Sequence, residues 1–108
     1  MATDYSPSIV RDGLVLHLDA ASPKSYINGS STWYDLTNII NTGSLVNGPA
    51  FNSSNLGNIS FDGSNDYVDF YAPNLGTTTT VEIWCKIGSA YSGKMLFGWY
   101  RYDIWCGS

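Results

Sequence analysis

Residues 60–70 read SFDGSNDYVDF, two short apolar stretches around a cluster of Asp, Gly, Ser and Asn. Asp62, Asn65, Asp66 and Asp69 offer oxygens to a cation, and calcium takes roughly six to eight of them. The spacing does not fit an EF-hand loop, where acids alternate ahead of the Gly. The same residues suit a tight corner. Asp-Gly is a strong hairpin signal, and Asp side chains bond nearby backbone N–H groups. The corner is the expected use: Asp62 and Gly63 turn the chain, and Asp66 caps the returning strand. Strands then follow on both sides, at 58–62 and 66–71, joined as a hairpin. Ile59 and Phe61 share one face of the first. In the second, Val68 and Phe70 alternate with Tyr67, Asp69 and Tyr71.

The same period of two recurs along the chain. In GLVLHLDA, 13–20, Leu14, Leu16 and Leu18 alternate with Val15, His17 and Asp19, which predicts a half-buried strand. Residues 22–32 are turn-rich and read as a loop. Residues 33–36 read as a helical turn or an irregular link with Trp33 packed inward. A short strand is expected at 43–46, closed by the turn Asn47-Gly48-Pro49. In the next candidate strand, Val81, Ile83, Cys85 and Ile87 form an apolar face, with Glu82, Trp84 and Lys86 facing away. After a turn at SAYSG, residues 94–106 read as one long strand or a bent pair, with Gly98 marking a bulge. Neither an amphipathic helix nor a solenoid repeat is apparent. Six or seven strands in sequence predict an all-β fold, an antiparallel sandwich or jelly roll. Two full sheets need about four strands each, so the sandwich is expected to be incomplete toward the C-terminus, its open face needing a partner.

Composition narrows the function. The 108 residues suit one domain, with 15% aromatic and only 13% charged residues. Disordered chains lack aromatics and carry more charge. The net charge is −4, and the five basic residues are scattered, so no strip can track a phosphate backbone. Nucleic acid is therefore excluded as the expected partner. The longest apolar run is too short for a bilayer, so no membrane insertion is expected. MATDYSPSIVRDG has neither a basic start nor an apolar signal core, which points to synthesis in the cytosol. Cys85 and Cys106 are the only cysteines; two thiols cannot by themselves hold a structural zinc. Two buried thiols meeting across neighbouring strands are expected rather than a disulfide.

The ordered series GLVLHLDA, TWYDL, NTGSLVNGPAF, ISFDGSNDYVDF and TVEIWCKI resembles the LamG-like (concanavalin A-like lectin/glucanase) jelly-roll family. It is most similar to versions in tailed-phage structural proteins and some bacterial surface proteins, where a DGLVLxLDA start, a WxDLSGNGNNGTL segment and an FDGxxDYV hairpin recur in this order. The resemblance spans nearly all of residues 8–100. It implies an N-terminal arm at 1–12 and a LamG-like β-sandwich at 13–108 that is the N-terminal part of a fuller domain. One departure stands out: WYDL continues as TNIINTGSL, without the family's Gly-rich run.

The expected activity is non-catalytic. Glucanases of this jelly-roll family carry Glu-x-Asp-x-Glu on one strand, whereas this chain has a single Glu, Glu82, and no acid two or four residues away. His17 lies beside Asp19 on one strand face, but no Ser or Cys sits in a nucleophile elbow, so His17 reads as a sheet-packing or surface residue. No catalytic residue, metal or cofactor is assigned. Trp84, Trp99, Tyr100, Tyr102 and Trp105 could stack on sugar rings, and the first four are the candidate ligand-binding residues. Unfinished sheet edges and a weakly charged aromatic surface suit protein–protein assembly. The expectation is a structural or accessory protein of a tailed-phage virion, a capsid decoration or tail component. It would be made in the host cytoplasm and would contact other virion proteins or copies of itself, with weak adhesion to host glycan. The alternative is an extracellular bacterial carbohydrate-binding module of a larger protein.

Overall fold

The computed structural model describes residues 9–37, 41–71, 75–88, 95–99 and 102–105; the side chains of Trp99 and Tyr102 lie outside that description. Its regular structure is almost entirely β. Seven strands are present among the described residues: β1 Thr32–Trp33, β2 Gly43–Val46, β3 Ala50–Asn52, β4 Asn58–Ser60, β5 Tyr67–Phe70, β6 Met95–Trp99 and β7 Tyr102–Trp105. All pairings are antiparallel. They form a three-stranded sheet in the order β1-β2-β5 and two hairpins, β3-β4 and β6-β7. This fits the expected all-β class.

β5 keeps its predicted alternation, with Val68 and Phe70 half-buried and Tyr67 and Asp69 exposed. β2 appears where expected, and Asn47 and Gly48 follow it with positive φ of 65° and 99°. Trp33 lies in β1 rather than in a helical turn, half-buried, with its Nε1 shielded and unbonded.

Four expectations are corrected. First, the Asp-Gly corner does not close a hairpin. β4 pairs with β3 and β5 with β2, Ser44 opposite Asp69 and Leu45 opposite Val68, so residues 61–66 lead from one sheet to another. Second, residues 14–19 form no ladder. Their backbone groups bond side chains and a neighbouring loop, which replaces strand pairing. Third, residues 81–88 pair with no strand among the described residues. Fourth, the bulge in the β6-β7 hairpin falls between Met95 and Phe97, while Gly98 stays in register with Asp103.

Aromatic pairs tie these pieces together. Tyr26 stacks on Phe51 at 5.4 Å between ring centroids, joining the 22–32 loop to β3. Phe70 stacks on Phe97 at 5.7 Å, joining β5 to β6. Among the described residues Tyr26 is the one large apolar side chain that is buried. Much apolar area therefore stays on the surface, including Ile83, Trp84, Ile87 and Met95.

Candidate functional site

The most densely bonded group of side chains is structural. Asp35, in the WYDL segment, accepts four hydrogen bonds from the described residues. Oδ1 takes the His17 and Thr37 N–H groups at 2.9 Å each. Oδ2 takes the Thr37 hydroxyl at 2.5 Å and the Asn41 N–H at 2.9 Å. Burial is the largest single influence on this carboxyl and pushes its pKa up. The hydrogen bonds, led by the Thr37 hydroxyl, together outweigh it and hold the pKa below the ordinary 3.8. Asn41, itself buried, returns its Nδ2 to the Val15 carbonyl at 2.8 Å. Ser25, fully buried, receives the Asp19 N–H on Oγ at 3.0 Å and donates to the Tyr34 carbonyl at 2.6 Å. The alternating residues 14–19 are thus held against the WYDL segment by these side chains and by the Leu36 N–H donated to the His17 carbonyl.

The acidic corner also works as a turn. Asp62 Oδ1 accepts the Ser64 and Asn65 N–H groups at 2.8 and 3.3 Å, and Asp66 Oδ2 accepts the Asp62 N–H at 3.0 Å. Gly63 holds φ +73°, the left-handed conformation that the corner requires. Asp66 Oδ1 is buried without a partner. Among the described residues no group of three or more His, Cys, Asp or Glu is placed to hold a metal ion.

The expected aromatic residues are divided. Trp84 stands 91% exposed on 81–88, with its Nε1 donating to Glu82 Oε1 at 2.8 Å. That contact between residues two apart agrees with Glu82, Trp84 and Lys86 sharing one face. Trp99 and Tyr102 occupy opposed backbone positions in the β6-β7 hairpin. Tyr100 lies outside the described residues. Cys85 is a free, exposed thiol, which corrects the expectation of a buried one; Cys106 lies outside the described residues.

Sequence reasoning passed over a shallow apolar groove of about 280 Å³, lined by Ala20, Ala21, Pro23, Tyr26, Ile27 and Phe51. Its walls come from a turn-rich loop and a strand about 25 residues away, so no local period announces it. The available signal was Tyr26 itself, an aromatic residue in an otherwise polar loop.

Residues 81–88 form the other unusual surface. They run without turn, bend or strand partner, and every side chain from Glu82 to Ile87 is exposed. Ile83 and Ile87 remain 41% and 44% exposed. An alternating apolar segment whose backbone joins no ladder among the described residues is a template for adding another strand. Compared with known protein families, curated proteins and solved structures, the chain matches none of them.

Proposed function

We propose that this chain is a non-catalytic structural or accessory protein of a tailed-phage virion, a capsid decoration or tail component on a jelly-roll, lectin-like scaffold. It works by offering an unpaired strand to neighbouring chains. One observation carries this reading: residues 81–88 alternate in sequence as a strand does, expose every side chain from Glu82 to Ile87 and have no strand partner among the described residues. The large apolar area left on the rest of the surface supports it. The exposed ring of Trp84 supports the added role of weak glycan adhesion, strengthened by multiple copies.

Density-gradient purification of particles from a phage lysate, followed by quantitative mass spectrometry, tests the reading. The chain is expected in particles at a fixed ratio of several copies to the major capsid protein. A chain absent from particles that binds polysaccharide as a monomer contradicts it and supports an extracellular carbohydrate-binding module.

A further inference from the structure

We infer that residues 81–88 pair with the same residues of a second copy, antiparallel, about a twofold axis through Trp84. This rests on the assembly reading above and names the partner. The charge pattern of VEIWCKI, 81–87, selects this pairing. Placing Trp84 opposite the second copy's Trp84 sets Glu82 opposite Lys86 and, by symmetry, Lys86 opposite Glu82. The other face then sets Val81 opposite Ile87 and Ile83 opposite Cys85, all apolar. Directly opposed side chains lie about 4.5–5.5 Å apart at Cβ, within reach of ion pairing and aromatic contact. Both charges meet an opposite charge, and each such contact occurs twice, as an isologous interface requires.

Other arrangements lose this match. Sliding the antiparallel register by two residues in one direction sets Trp84 opposite Lys86, and in the other sets it opposite Glu82. A parallel in-register pair sets Glu82 against Glu82 and Lys86 against Lys86, which is repulsive. The state of the segment fits the proposal: residues 82–87 are exposed on both faces, and its backbone is in no ladder among the described residues. A pair of eight-residue strands is a small interface, so the dimer forms in the micromolar range rather than tighter.

Analytical ultracentrifugation of the 108-residue chain in reducing buffer, across a concentration series, provides the test, with circular dichroism to check folding. The wild type is expected to pass from monomer to dimer. Glu82→Lys or Lys86→Glu alone should weaken dimerisation roughly tenfold or more, since each turns both ion pairs repulsive. The double exchange Glu82→Lys with Lys86→Glu should return it to within about threefold of wild type. In a Cys85→Ser, Cys106→Ser background, Trp84→Cys should give a covalent dimer with oxidised glutathione, whereas Ile87→Cys, distant from its own copy across the axis, should not. A chain that stays monomeric to about 1 mM, well above the micromolar range of a weak interface, overturns the pairing. So does a double exchange that fails to restore it. A monomeric chain that still co-purifies with particles sinks this pairing alone; a dimer absent from particles sinks the assembly reading alone.

Discussion

The His17 backbone N–H donates to Asp35 Oδ1 at 2.9 Å, joining residues 18 apart in sequence. The return contact, Leu36 N–H to the His17 carbonyl at 2.8 Å, makes His17 the point where residues 14–19 dock on the WYDL segment. Asp35 thus serves as a backbone clamp. Replacing it with Ala strands three backbone N–H groups and a hydroxyl and should cost about 3 kcal/mol, read by urea denaturation. Asn retains one acceptor oxygen and should cost about 2 kcal/mol.

The same clamp sets a pH dependence. The Asp35 pKa is depressed in the folded state, so its contribution is full above the ordinary value of 3.8 and is lost as pH falls through the lower folded value. Thermal melts should show an acid limb below that pH. Asp35→Asn should flatten the limb, because the variant has no charge to lose. An unchanged limb would show that other carboxylates dominate acid unfolding.

Ser25→Ala should cost about 2 kcal/mol, since it leaves the Asp19 N–H and Tyr34 carbonyl without their shared partner in a fully buried place. Denaturant midpoints of Ser25→Ala and Ser25→Thr check this. Thr keeps the hydroxyl, so it tells hydrogen bonding from space filling.

The turn joining β3 to β4 makes opposite predictions at adjacent positions. Gly57 holds φ +127°, and a Cβ there would sit 2.9 Å from the Ala20 carbonyl oxygen and 3.0 Å from the Phe51 ring. Gly57→Ala should therefore destabilise by about 3 kcal/mol. Leu56 holds φ 71° while 88% exposed, so its left-handed backbone is offset by no packing. Leu56→Gly should stabilise by about 0.5 kcal/mol.

The parts of the fold legible in the sequence were those set by local chemistry. β5 follows from alternation, β2 from the turn that closes it, and the Asp62–Asp66 corner from short-range side-chain bonds. Partner choice was not legible. The corner between β4 and β5 carries a hairpin signal, but the β3–β4 and β2–β5 ladders place those strands in different sheets. The leucine alternation at 14–18 predicted a strand, yet Asp35, Ser25 and Asn41 take up the backbone bonds that a ladder would use. The 81–88 segment was legible as a strand pattern. That it has no strand partner among the described residues is a long-range fact that no local period encodes.

The acidic corner gives a ligand prediction. Asp62 and Asp66 already bond backbone N–H groups. Millimolar calcium should then leave the melting temperature within about 1 °C, because a ligand stabilises only in proportion to its occupancy of the folded state. Gly63→Val, by contrast, should lower stability by about 2 kcal/mol by forcing a β-branched residue to positive φ.

Amide hydrogen exchange of residues 81–88, measured at sub-micromolar and at several hundred micromolar chain, tests the unpaired strand most directly. Open edge amides exchange freely, and laddered ones do not. The account predicts fast exchange across 81–88 in the dilute chain and slowing of at least roughly tenfold in alternating amides when concentrated, with the Asp35-bound amides of His17 and Asn41 protected in both. Amides of 81–88 that exchange equally fast at both concentrations, or are already protected in the dilute monomer, contradict it.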